Sequence, residues 1–555
     1  MEIYLLLSVF LGFSALVAYI FERAGFSRIA GYITTGVLLS LFFAESLKAN
    51  TEFLNFFSDV AITLLVFEIG REVGIEKIRK MNLTPLIILG FEISFAFLFA
   101  LLFGTILKLN FLETLILAAV ASFSSTAIVF SLLLGLGLSE KTRREILMVM
   151  VLEDIYAILI LAILPSLRLG GLDPTQLIRL LSLSILITTI LIAVGITVIR
   201  RVFIWVIEIN EPGVAIILGS AFLFAVISRS FGLSPALGAF AAGIALSAHP
   251  KNTEIGEYLR PLREMFLIVF FVVLGTEAGM TNIVSPLLLL APIIVFLRFL
   301  AFTSANWLTT GKSLEESLKI GFTASCVGEF GMVITYEATR LGLVHAEFLT
   351  LSAFSVILGA LISSKLSRNA DNYAAKISSA VPSEVKTVVD KISANVSRIT
   401  EGKASDFVRE TFFRILRNVL VLFLTIALGS AFLYISDLLL PTLSIYISIV
   451  VLSTIVLTII LTAINTRKHA KELCSIFVRE ERLGYVLEEV LVGTTSISLL
   501  LISFGLALLT SSNFLVAMVN RTYKLDIAQF IVLLVLALFF AVLVIGYIKL
   551  KRISL

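Results

Sequence analysis

Apolar stretches of about 20 residues, the length an α-helix needs to cross a hydrocarbon layer, recur along nearly the whole of this chain. Hydrophobic residues make up 59% of it and charged residues 15%, so the membrane, and not a large soluble core, is its solvent. Seventeen candidate spans can be drawn. Thirteen lie at 3–20, 29–43, 53–70, 84–107, 112–136, 146–164, 175–199, 213–228, 233–248, 264–280, 286–307, 317–339 and 346–365. Four more follow near 412–435, 442–464, 490–510 and 527–548. The predicted class is an all-α polytopic membrane protein with a unit at 1–366, a cytoplasmic amphipathic linker at 367–410 and a four-helix transmembrane module of unknown role at 411–555.

The charges sort by membrane side. Alternate loops carry Arg23 and Arg28; Arg71, Lys77, Arg79 and Lys80; Lys141, Arg143 and Arg144; Arg200 and Arg201; Lys251, Arg260 and Arg263; Lys312 and Lys319. The opposite loops carry only Lys48, Lys108, Arg168, Arg229 and Arg340. The positive-inside rule therefore puts the N-terminus outside, and residue 366 and the C-terminus in the cytoplasm, with the cell membrane the expected location. A net charge of +4 distributed in this way is topology and gives no footprint for nucleic acid. Cys326 and Cys474, with lone His249, His345 and His469, make neither a disulfide framework nor a zinc site. No nucleophile, metal or cofactor motif appears, so an enzyme is not expected and no cofactor is assigned. The Met-Glu start lacks a basic n-region, and Ile3 to Ile20 reads as a retained first helix.

Inside this apolar chain the costly residues are informative. Met148 to Leu164 holds adjacent acids, Glu153 and Asp154. A charge at bilayer depth usually faces a cavity or a partner and marks an ion or proton pathway. Neighbouring helix positions point about 100° apart, so one acid can face a cavity while the other meets a helix. Desolvation favours the protonated form and an accessible cation the ionised one, so Asp154 can hold a proton or a monovalent ion. Arg298, in the eleventh span, needs an anionic partner, and Glu153 is the natural one. The fifth span contains Ala121-Ser-Phe-Ser-Ser-Thr126 and the twelfth Ala324-Ser-Cys-Val-Gly-Glu329. Both interrupt an apolar helix with small and hydroxyl residues, and they would run in opposite directions. Paired broken spans of this kind point to the central site of a transporter. Glu329 can accept from the backbone N–H groups that such a break frees. Glu68 lies near the end of the third span, where it either snorkels or serves as a ligand. Glu92 reads as a helix-packing or lipid-facing residue, and Glu277 sits near the outer end of its span. The run Gly232-Leu-Ser-Pro-Ala-Leu-Gly-Ala-Phe-Ala-Ala-Gly243 reads as close helix packing with no ligand.

GLSPALGAFAAG, the Glu153–Asp154 pair, Arg298 and the GEFGMVI run at 328–334 together resemble the monovalent cation/proton antiporter superfamily, specifically the Kef-like Na+(K+)/H+ exchangers. The resemblance covers about residues 1 to 366. It implies secondary active exchange of Na+ or K+ for H+ by alternating access. It also implies a thirteen-helix inverted-repeat fold, with spans 4–6 and 11–13 moving against a dimerisation domain of spans 1–3 and 8–10, and a homodimer in the bilayer. The family's ion-binding aspartate falls on Asp154, its preceding position on Glu153, its crossover ligands on Ser125 and Thr126, and its intramembrane cation on Arg298. The VFEIG run resembles the FEGG motif of the NhaP-type branch, whose glutamate would be Glu68. This chain departs from the pattern at several places. Val149 and Met150 stand where NhaP-type relatives carry Glu and Ser, and Arg229 stands before GLS in place of an acid. No G-x-G-x-x-G follows a strand, so the nucleotide-binding domain that Kef-type relatives often append is not matched. A second class of reading keeps the exchanger fold as a non-transporting or channel-like membrane sensor that signals or assembles through its last four spans; the retained intramembrane acids disfavour it.

Overall fold

The computed structural model describes residues 8–49, 51–73, 84–170, 187–197, 210–231, 233–279 and 285–401, with single positions between 410 and 465. The chain divides into two units, Met1–Arg168 with Thr188–Thr400 and Leu169–Ile187 with Glu401–Leu555. Apart from single positions, the four C-terminal spans lie outside the described residues. Within the second unit Asn465 Nδ2 donates to Asn418 Oδ1 at 3.3 Å.

Among the described residues of the first unit, every regular element is a helix. A short π-helical turn leads into α1 (Ser14–Arg23), followed by α2 (Arg28–Ala49), α3 (Thr51–Val73) and α4 (Thr84–Leu107). Next come α5 (Phe111–Ser122), α6 (Thr126–Leu133) and α7 (Glu140–Gly170). The span expected at 175–199 is described over Ile187–Thr197, α8. The chain continues through α9 (Glu211–Ser230), α10 (Pro235–Leu246) and α11 (Asn252–Gly279), then α12 (Leu290–Thr309), α13 (Leu314–Ala324) and α14 (Glu329–Arg340). It closes with α15 (Glu347–Arg368), α16 (Ala370–Ala380) and α17 (Ser383–Glu401). Among the described residues, five helices are long and apolar enough by themselves to cross a membrane: Thr84–Leu107, Glu140–Pro165, Glu211–Ser230, Pro286–Thr309 and Glu347–Arg368.

Local chemistry sets where the functional helices start and stop. Asn110 and Glu113 form a reciprocal capping box at the start of α5, each side chain accepting from the other's backbone N–H at 2.9 Å. At the far end Phe123 and Ser125 are extended, where the run of hydroxyl residues offers the backbone alternatives to helix. Between α13 and α14, Ser325 keeps a helical backbone and Gly328 is extended. Gly328 is needed there because a Cβ would strike the Ser124 backbone.

Two helix groups result. In one, α2 and α3 pack on α11, and α3 and α9 pack on α10. Small residues let α10 approach closely, and a Cβ at Gly243 would overlap the Phe67 carbonyl, so the Gly-Ala-rich run is packing surface. In the other group α4 packs on α5 and α12, and α13, α14 and α15 close around them. Ile146, Val149 and Met150 of α7 join its core beside Ile88, Phe302 and Ile320. The places where NhaP-type relatives carry Glu and Ser are thus filled here by apolar packing.

The described part of the linker holds two helices, the second starting just after Pro382. Ala370 and Ala374 of α16 pack with Leu314, Leu318 and Phe322, but α17 turns its polar side to the unit. Asp390 accepts from Trp307 Nε1 at 2.9 Å, and Ser393 Oγ accepts from the Gly311 N–H at 2.8 Å. Val385, Val388 and Ile392 are exposed. Ordinary amphipathic packing is inverted because the α12–α13 corner presents donors, which a carboxylate and a hydroxyl satisfy and valines cannot.

Candidate functional site

The two interrupted helices meet. Ser124 and Val327 form an antiparallel bridge, and the Gly328 N–H donates to the Phe123 carbonyl at 2.7 Å. This crossover brings the C-terminal end of α5 and the N-terminal ends of α6 and α14 together, so unpaired carbonyls and unpaired amides face one small region.

Charged side chains complement both. Arg298 of α12, 3% exposed, donates from Nη1 to the Ala121 carbonyl at 2.9 Å, at the end of α5. Its Nη2 donates to Ser124 Oγ and lies 3.4 Å from Glu153 Oε1. Glu153 of α7, 1% exposed, accepts from the Ser124 N–H at 2.5 Å and from Ser124 Oγ at 3.0 Å. A cation thus sits at the carbonyl end and an anion at the amide end, joined through one serine.

Asp154 is placed differently. One position on, it leaves this cluster and is half-buried. Its electrostatic neighbours are Glu329, Glu153 and Glu72. Glu72 is exposed at the end of α3, so Asp154 and the solvent-facing end of α3 share one field. Glu329 opens α14, half-buried, with Ser125 Oγ beside its carboxylate but outside hydrogen-bond geometry. Ser125 is buried and Thr126 half-buried at the start of α6. Asp154, Glu153, Ser125, Thr126, Arg298 and Glu329 are therefore gathered around one crossover.

Glu68 has other company. Arg71 donates to it from Nε at 2.9 Å and from Nη2 at 2.5 Å, and Arg263 Nη1 lies 3.1 Å away. Arg71 also donates to the Asn252 carbonyl at 2.8 Å. Its carboxylate ties α3 to α11. Near the opposite end of α3, Arg340 of α14 pairs with Asp59 at 2.5 Å and Tyr336 Oη donates to Asn55 Oδ1 at 3.1 Å.

Glu92 takes the helix-packing setting of the two expected for it. It is 2% exposed and comes within electrostatic reach of Glu153 and Arg298. The signal was the spacing: Glu92, Ala96, Ala100 and Gly104 recur every four residues and are all buried, whereas Leu98 and Leu102 are exposed. The small residues mark the protein-facing stripe, and the acid lies on it.

Comparison with known proteins agrees with this architecture. Over 364 residues the chain is 29% identical to "K(+) efflux antiporter 3, chloroplastic" of Arabidopsis thaliana, a match covering 60% of this chain and 46% of that protein. Over 385 residues it is 27% identical to "K(+)/H(+) antiporter subunit KhtU" of Bacillus subtilis, covering 64% of this chain and 91% of that protein. The chain thus spans about half the length of the plant relative. The fold resembles that of the sodium proton antiporter MjNhaP1 from Methanocaldococcus jannaschii, with a TM-score of 0.52 at 14% identity, over 67% of this chain and 97% of that one. A family model described as the transmembrane sodium/hydrogen exchanger matches residues 12–366, well over half the sequence, and the chain belongs to this family of monovalent cation/proton antiporters.

Proposed function

We propose that this protein exchanges a monovalent cation, Na+ or K+, for H+ by alternating access, with Asp154 as the group that holds one or the other. The observation that carries this reading is the contrast within the acid pair. Glu153 is enclosed by Arg298 and Ser124, while Asp154 is half-buried at the crossover with, among the described residues, the acids Glu329, Glu153 and Glu72 as its charged neighbours. An ionised carboxylate among carboxylates needs a proton or a cation, and exclusive occupancy couples the two fluxes. Ser125 and Thr126, at the start of α6, supply further oxygens in this reading. Glu329 adds negative field, and Arg298 orients Glu153. Glu68, engaged by two arginines, is assigned to holding α3 on α11. The K+ in the names of both sequence relatives makes it the first cation to try.

The orientation expected from the loop charges puts Glu72 on the cytoplasmic side and the Asp59–Arg340 pair outside. The test is proton movement in proteoliposomes carrying an internal pH dye, on addition of K+, Na+ or Li+. Wild-type protein is expected to dissipate a proton gradient with one or more cations, and Asp154→Asn to lose that activity by at least about 100-fold. A folded Asp154→Asn protein that still exchanges would refute the assignment. Silence from folded wild type with every cation would favour the sensor reading.

A further inference from the structure

Four acids and one guanidinium crowd the crossover: Glu92, Glu153, Asp154 and Glu329 with Arg298. Arg298 donates from its two Nη atoms to the Ala121 carbonyl, Ser124 and Glu153, while its Nε reaches no acceptor, Glu92 included, among the described residues. Glu329 and Asp154 are half-buried and belong to the exchange site. Glu92 is left over. It is enclosed between α4, α7 and α12, and Leu89 one turn before it packs on Leu152 beside Glu153. Neither of its carboxylate oxygens has a hydrogen-bond donor among the described residues. The charged groups facing it are Glu153 from α7 and Arg298 from α12; the one acid of α5, Glu113, caps its own helix. Two ionised carboxylates side by side are both acceptors and repel, whereas a carboxyl beside a carboxylate supplies one donor and removes one charge.

We propose that Glu92 is a positioning residue of the exchange site, a neutral carboxylic acid whose O–H is given to the Glu153 carboxylate. Arg298, Glu153 and Glu92 then form one unit of zero net charge across α12, α7 and α4. That unit fixes the Glu153 side chain toward Ser124 and Arg298, and it keeps the charge that changes during exchange on Asp154. The consequence for exchange rests on the antiport reading above; the hydrogen between the two carboxyls does not.

The experiment uses the full-length protein in bilayers. Infrared spectra at about pH 7, where solvated glutamates are ionised, are expected to show the C=O band of a protonated carboxylic acid, lost in Glu92→Gln. Loss of the band without any transport would keep this proposal and sink only the antiport reading. An unchanged band in Glu92→Gln overturns the proposal. A second measurement follows the pH midpoint of cation/proton exchange. Glutamine still donates to Glu153 and is expected to keep the wild-type midpoint. Leucine cannot donate and is expected to shift the midpoint by about one unit, or to cut the rate about 10-fold or more. If Glu92→Gln moves the midpoint as far as Glu92→Leu, the acid titrates during turnover and the proposal fails.

Discussion

At the scale of single residues, two neighbouring acids are given opposite fates by a rotation of about 100°. Glu153 and Arg298 are a buried pair with side-chain exposures of 1% and 2%. Removing one member of such a pair strands the other without water and typically costs about 3–5 kcal/mol, while removing both with apolar replacements costs far less. Glu153→Gln is therefore expected to unfold in detergent at lower temperature than the Glu153→Gln, Arg298→Met double variant. Additive losses would argue against the pairing. Outside the membrane, His249 lies in the turn between α10 and α11, buried, with Nδ1 accepting from the Lys251 N–H at 3.1 Å. Burial first, and the Lys251 charge second, hold its imidazole below the ordinary histidine range. The folded protein thus binds this proton more weakly than the unfolded chain. The stability it confers is complete above about pH 6.5 and is lost as the pH falls through and below that value. Thermal stability should drop between about pH 7.5 and about pH 5.5, and drop less in His249→Asn, which keeps an acceptor and takes no proton. Equal slopes in the two proteins would show that other groups set the acid sensitivity.

The elements that matter most are the two that stop halfway. A helix that ends inside a bilayer leaves backbone groups without partners, and the crossover answers this by pairing the breaks with each other and with Arg298 and Glu153. Gly328 permits the approach, so Gly328→Val is expected to separate the strands at Ser124. Exchange should fall by about 100-fold or more while the helical content by circular dichroism stays close to wild type. Gly342→Ala is the control, since a Cβ there meets nothing, although its positive φ adds a small strain. A Gly328→Val protein with full exchange would show that the close contact is dispensable. Both breaks were legible in the sequence as hydroxyl-rich interruptions. That they bridge one another was not, because a pairing between residues about 200 positions apart leaves no local pattern.

At the scale of the whole first unit, α3 touches both ends of the problem. Its Asp59 binds Arg340 of α14, and its other end carries Glu68, Arg71 and the exposed Glu72. Movement of one helix group past the other must break the Asp59–Arg340 pair. This pair is partly exposed, with side-chain exposures of 55% and 37%, so it is worth at most about 1 kcal/mol. Arg340→Gln should shift the balance of states up to about 5-fold toward opening on that side. The shift is read as an altered apparent cation affinity when the cation is added from that side alone. An unchanged affinity from both sides would mean that the pair does not restrain the motion.

Sequence alone determined the apolar solvent, the all-helical class and the two interruptions that meet at the crossover. Apolar length, the scarcity of charge and the two interrupted spans are local properties, and a misplaced charge in lipid is costly enough to be visible in one dimension. Tertiary structure alone decided the partners. It gave Glu68 to Arg71 and Arg263, chose the packed over the lipid-facing setting for Glu92 and put it within reach of Glu153, and turned the polar side of α17 toward Trp307 and Gly311. The physical reason is that burial cost is carried by each residue by itself, whereas what offsets it comes from helices that only the fold brings into contact.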